Sequence, residues 1–164
     1  MGKGMVYLYT GEGEEKTTSA FGLALRTVGH GYKVIIIQFM KGRKYIGECK
    51  IKDRLSPEYE IHQFGMKEFI NFKNPDPEDY KLAAEALEFT KKAIKREPRL
   101  LILDKMNLAA HFGILKTEDI LKLLEDIPEE TTLVLTGRRA PKDSSSPIFN
   151  PLYNNPPLST TFNC

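Results

Sequence analysis

The chain has 164 residues, with 24 Lys and Arg against 22 Asp and Glu and a formal charge of +2 at pH 7. That length suits one domain around one sizeable core, and the near balance of charge excludes the strongly basic field of a nucleic-acid binder. Hydrophobic residues at 41% and charged residues at 28% exclude wholesale disorder, collagen and coiled coil, and the longest apolar runs, Val34 to Ile37 and Leu100 to Leu103, are far short of the roughly 20 residues of a bilayer span.

Met5 to Tyr9 predicts a strand that stops at Thr10-Gly11-Glu12-Gly13, and a helix follows at once, with Ala20, Leu23, Ala24 and Thr27 on one face until Gly29-His30-Gly31. Lys33 to Phe39 is nearly continuous Val and Ile, the pattern of a parallel strand covered on both faces. The polar stretch from Lys41 to Arg54 reads as a solvated loop, and Tyr59 to Phe64 as another strand. Asp76 and Pro77 supply an N-cap and a first helical residue for a long amphipathic helix, which Pro98 stops before the apolar strand Leu100 to Asp104. Thr117 is read as the N-cap of the next helix, followed by the strand Thr132 to Thr136. Sustained alternation of strand and helix predicts an α/β fold with a mostly parallel sheet, helices on both faces, and a ligand beyond the carboxyl ends of the strands.

Residues 1–143 read as that domain. Residues 144–164 carry no charge and four prolines, Pro147, Pro151, Pro156 and Pro157, and are expected to be irregular or disordered chain. Cys49 and Cys164 lack the spacing of a zinc site or disulfide framework. His30, His62 and His111 are read as structural. The first residues lack the long apolar core of a secretory signal, so the expected location is cytoplasmic.

The segment Gly11-Glu12-Gly13-Glu14-Glu15-Lys16-Thr17-Thr18 lies between a strand and a helix. Loops of this kind hold phosphate because glycines let N–H groups turn inward, the helix N-terminus adds positive potential, a Lys reaches the phosphates and the first hydroxyl ligates Mg²⁺. The strict P-loop pattern fails at two places, Thr10 and Glu15, and the dinucleotide fingerprint fails at Lys16. A plain glycine turn capping a helix is the alternative. Asp104, a carboxylate ending an apolar strand, is a candidate for helping to hold Mg²⁺, or else a lone acid at a strand end. Arg138, after the last predicted strand, is a candidate phosphate or carboxylate ligand, or else a solvated arginine.

With these residues placed, the sequence resembles the P-loop corrinoid adenosyltransferases from Val6 to about Pro141. The resemblance rests on Tyr9-Thr10-Gly11 with Lys16-Thr17-Thr18, Gly22-Leu23-Ala24-Leu25-Arg26 with Gly29-His30-Gly31, Gln38-Phe39-Met40-Lys41-Gly42, Gly47-Glu48 and Phe64-Gly65. It continues through Leu103-Asp104, Met106-Asn107, and Thr136-Gly137-Arg138 with Ala140-Pro141. It implies a RecA-like P-loop fold whose last family strand is missing here. It also implies transfer of the 5′-deoxyadenosyl group of ATP to the reduced cobalt of a corrinoid, with release of triphosphate.

By the same resemblance Lys16 and the loop from Gly11 to Thr18 hold the phosphates, Thr17 ligates Mg²⁺, Arg26 reaches the phosphates from the first helix, and Phe69 helps arrange the corrinoid. A flavoprotein reductant and a homodimer are the implied partners. The chain departs from the family at Glu14 and Glu15, two carboxylates set against a polyanion, with Glu15 lacking the backbone freedom of the glycine it replaces. It departs again at Lys105, where an acid is usual. These departures favour a relative that binds nucleotide, corrinoid or a partner without turnover, whereas the long match favours the enzyme; a P-loop NTPase or kinase is a further alternative.

Overall fold

A computed structural model describes residues 5–140 and the backbone of 159–163. Six strands form one parallel sheet: β1 (Val6–Thr10), β2 (Val34–Phe39), β3 (Tyr59–Phe64), β4 (Leu100–Asp104), β5 (Thr132–Thr136) and β6 (Ser159–Asn163), in the order β3-β2-β4-β5-β1-β6. The predicted strands are found, with bounds shifted by one residue in β1 and β2.

Alternation along each strand splits the core into two layers. Leu8, Ile35, Ile37, Leu101, Leu103, Leu133 and Leu135 face one way, against apolar residues of α4 (Pro77–Ile94), α5 (Met106–His111) and α6 (Thr117–Glu125). Tyr9, Val34, Ile36, Leu100, Ile102 and Val134 face the other, against Ala20 and Ala24 of α1 (Lys16–Gly29). Both alanines are fully buried, and their small side chains let α1 lie close to the sheet. Helices therefore cover both faces, and every strand points its carboxyl end toward the same rim.

Three expectations are corrected. The stretch 41–54 is not simply a solvated loop: it contains two helical turns, α2 (Gly47–Lys50) and α3 (Lys52–Leu55), and Ile51 and Leu55 pack on the core because a polar segment still carries apolar residues at helical spacing. Thr117 is the first residue of α6 and Lys116 occupies the N-cap, which has no side-chain cap bond. Within the tail, Ser159–Asn163 pairs in parallel with β1 as β6. This run has no proline to remove a ladder donor, and its alternate N–H groups can face a strand whose outer edge would otherwise be bare, which is why the expectation of irregular chain fails there. The rest of the tail, 144–158 and 164, lies outside the described residues.

Candidate nucleotide-binding site

β1 delivers the chain to the rim at Thr10, a fully buried residue whose Oγ1 accepts the Ala140 N–H at 3.2 Å. Gly11 turns with φ 124°, a conformation that favours glycine. The loop then enters α1, where Lys16 is buried and its ammonium donates to the Gly13 carbonyl, folding the side chain over the loop. Glu15 sits at the N-cap with φ −80° and ψ −2°, an ordinary right-handed conformation, so the substitution for glycine needs no special backbone freedom. Its carboxylate does not cap the helix; Oε2 instead accepts the Glu14 N–H at 3.1 Å. One loop amide is thus already on an internal anion.

Behind the loop, Asp104 at the end of β4 is fully buried. Its Oδ1 accepts the hydroxyls of Thr17 at 2.9 Å and Thr136 at 2.6 Å, while Oδ2 accepts the Gln38 amide at 2.9 Å and lies 3.8 Å from the Lys41 ammonium. Glu48 on α2 accepts from Lys41 at 2.8 Å and from Gln38 at 3.3 Å, so the ammonium lies between two carboxylates. Burial alone would raise the Glu48 carboxyl, but the Lys41 hydrogen bond and the other donors outweigh it and hold the group below the usual range. Burial, reinforced by the Glu48 charge, pushes the Tyr59 hydroxyl well above its usual value, and this protonated O–H donates to the Glu48 carbonyl at 3.0 Å. Gln63 in turn donates to Gln38 Oε1 at 2.8 Å.

Next to Asp104 the backbone turns through Lys105 with φ 67°, the left-handed region, and the Lys105 N–H donates to Thr136 Oγ1 at 3.2 Å. Burial lowers the pKa of its ammonium, and the charges of Lys41, Arg43 and Arg138 act in the same direction against the opposing pull of Asp104. The Lys105 side chain lines a cleft of about 440 Å³ together with Gly13, Glu14, Lys16, Thr17, Phe69, Leu108, Thr136, Gly137 and Arg138.

Six of the residues expected from the sequence therefore meet at this cleft: Gly13, Glu14, Lys16, Thr17, Phe69 and Arg138. The Phe69 ring is 77% exposed and carries the Arg43 guanidinium 3.7 Å above its centroid. Gly11, Glu12 and Glu15 belong to the loop but not to the lining. Of the two loop carboxylates set against a polyanion, only Glu14 faces the cleft. Thr18 lines a different cleft, of about 350 Å³, beside Phe21, Leu25 and Tyr59.

Arg26 is not brought to the loop. Ten residues along a helix is about 15 Å, and this arginine lines a third cleft, of about 320 Å³, with His30, Tyr32 and Arg99 near the opposite ends of the strands. Reasoning from sequence missed Gln38, Lys41, Glu48 and Thr136. An available signal was Gln38, an amide inside a strand otherwise built of Val, Ile and Phe.

The resemblance implies a magnesium ion at this cleft. Among the described residues no three His, Cys, Asp or Glu side chains converge to hold a metal. Thr17 nevertheless lines the cleft, and while its hydroxyl donates to Asp104 the oxygen keeps lone pairs for a hard cation. Magnesium takes few protein ligands and completes its shell with phosphate and water. The residues fit it through one hydroxyl with a carboxylate behind.

The family model described as ATP:corrinoid adenosyltransferase BtuR/CobO/CobP matches residues 2–146. The chain belongs to this family of transferases. It is 29% identical over 142 residues to the corrinoid adenosyltransferase of Escherichia coli, covering 86% of this chain and 71% of that one. It is 31% identical over 140 residues to the corrinoid adenosyltransferase of Pseudomonas aeruginosa, covering 84% and 68%. An uncharacterised Nostoc protein is 33% identical over 144 residues, 81% of this chain and 38% of that one. Among the described residues no helix is long and apolar enough to cross a membrane.

Proposed function

We propose that the chain transfers the 5′-deoxyadenosyl group of ATP to the reduced cobalt of a corrinoid. What carries the reading is one cleft whose lining joins the cations Lys16, Lys105 and Arg138 to an exposed aromatic ring, Phe69. Family membership supports it. The cobalt(I) electron pair forms the bond to C5′, the C5′–O bond breaks, its electrons leave with triphosphate, and cobalt ends two electrons more oxidised. No side-chain nucleophile is needed; the protein aligns the two substrates and neutralises the leaving group.

Lys16 and Arg138 bind phosphate, Lys16 exchanging the Gly13 carbonyl for a phosphate oxygen, and Phe69 borders the corrinoid. Arg26, at the far end of α1, takes no part. A bound magnesium ion supplies positive charge to the triphosphate; Thr17 would hold it, with Asp104 orienting that hydroxyl. A homodimer in the cytoplasm, served by a flavoprotein reductant, belongs to the same reading on the strength of the resemblance alone.

A second reading, a relative that binds its ligands without turnover, is favoured by one observation. The loop is closed on itself, with Glu15 on the Glu14 N–H and Lys16 on the Gly13 carbonyl. Mixing the protein with ATP, Mg²⁺ and chemically reduced cobalamin separates the readings. Transfer gives the absorbance change of a cobalt–carbon bond and free triphosphate in the phosphorus NMR spectrum, both lost in Lys16→Ala. ATP bound with neither product supports the second reading, and ADP would point to a kinase or NTPase.

A further inference from the structure

Lys105 is the residue of the cleft that the loop chemistry does not use. It occupies the left-handed region at the N-cap of α5, a conformation that costs an L residue about 1–2 kcal/mol. Surrounding bonds hold it there: its N–H is fixed on Thr136, and its carbonyl accepts the N–H groups of Leu108 and Ala109 at 3.2 and 3.3 Å. This turn sets the side chain in the lining beside Gly13, Lys16 and Arg138.

Among the described residues its ammonium has no hydrogen bond or ion pair, although it is largely withdrawn from water and stands in the field of Lys41, Arg43 and Arg138. A partly desolvated cation without a partner, crowded by like charges, is an unfavourable arrangement that an anion would relieve. Asp104 does not supply that anion as an ion pair; its oxygens are engaged by Thr17, Thr136, Gln38 and Lys41. The lining as a whole sets three cations, Lys16, Lys105 and Arg138, against the single carboxylate of Glu14.

We propose that Lys105 binds the polyphosphate of the nucleotide directly and supplies there charge that a divalent cation otherwise supplies, so that ATP enters the cleft without metal. This rests on the proposed reading of the cleft as a triphosphate site. Lys105 and Lys16 flank the phosphates from the β4 end and from the loop, and the ligand, not the protein, provides their counter-charge.

Calorimetric titration of the full chain tests it, with ATP and with inorganic tripolyphosphate, each in Mg²⁺ and in EDTA. ATP affinity in EDTA is expected to stay within about threefold of that in Mg²⁺. Lys105→Ala is expected to weaken both ligands in EDTA by about tenfold to a hundredfold, the range of a charge-assisted hydrogen bond, while Lys105→Arg retains most of the affinity. Lys105→Gly, which the left-handed backbone accommodates without strain, removes the ammonium in a chain that folds at least as well and is expected to behave as Lys105→Ala. Binding by the wild type only in Mg²⁺, or undiminished binding by both truncations, would overturn the proposal and leave the proposed function standing. Failure of ATP and tripolyphosphate to bind in either buffer would remove the triphosphate reading itself, and this inference with it.

Discussion

Glu15 occupies the one loop position where an acid competes with the ligand for a backbone donor. Its carboxylate accepts the Glu14 N–H at 3.1 Å, and a phosphate oxygen seeking that amide must displace it. Two unit charges about 4 Å apart interact by about 4 kcal/mol at an effective dielectric of 20, and exposure and salt reduce this to about 1–2 kcal/mol here. Glu15→Gln is therefore expected to raise ATP affinity about tenfold, read by calorimetry at fixed ionic strength. Affinity equal to wild type would show that the side chain swings away at no cost.

At this scale Lys16, Thr17 and Asp104 were legible because their chemistry is local: a loop lysine, the first hydroxyl of the helix, an acid at a strand end. The partnership of Gln38, Lys41 and Glu48 was not. Those residues meet through the β2·β4 pairing, which sets Gln38 beside Asp104, and a linear pattern holds no record of that register.

Among the elements, α4 and α1 begin in opposite ways. Asp76 accepts the Glu78 N–H at 2.9 Å and Asp79 accepts the Asp76 N–H at 2.9 Å, a capping box with Pro77 at the first position. Loss of the cap in Asp76→Ala is expected to cost about 1 kcal/mol, seen as a lower urea midpoint, with ATP affinity unchanged because α4 lies on the far face from the loop. A matching loss of ATP affinity would contradict that separation.

The N-terminus of α1 has no side-chain cap and keeps donors for a ligand. Element boundaries were readable wherever Asp, Pro or Gly marks them. The start of α6 was read one residue late because its N-cap, Lys116, has no side-chain cap to mark it, and β6 escaped because a short Ser-Thr-Thr-Phe-Asn run becomes a strand only when an open edge lies beside it.

For the molecule as a whole, acid is the direction of lost stability. His62 on β3 rests against the Phe89 ring at 4.3 Å, and burial takes its pKa below the usual 6.5, against the upward pull of Glu60. Glu60 is held below its usual 4.5 chiefly by hydrogen bonds from Arg96. For both groups the unfolded chain takes up its proton at a higher pH than the folded one does. The stability they contribute is present above the unfolded values and declines as pH falls, through His62 below about 6.5 and then through Glu60 below about 4.5. The urea midpoint is expected to fall steadily from pH 8 to pH 4, and His62→Gln to flatten the first part of that decline. A midpoint higher at pH 5.5 than at pH 7.5 would show that other groups dominate.

The sequence by itself determined the class of the fold, the order of the strands through β5 with the longer helices between them, and the place of the glycine loop before α1. Each of these depends on periodicity, on turn residues and on neighbours a few positions apart. Only the tertiary structure decided which side chains share a cleft. It carried Arg26 away to the other end of α1, turned Glu15 onto its own loop, and brought Lys105 into the same cleft as Lys16 through a left-handed turn beside Thr136. The physical reason is that strand pairing and helix length fix distances between residues far apart in the chain, whereas composition and spacing constrain only the chain's immediate surroundings.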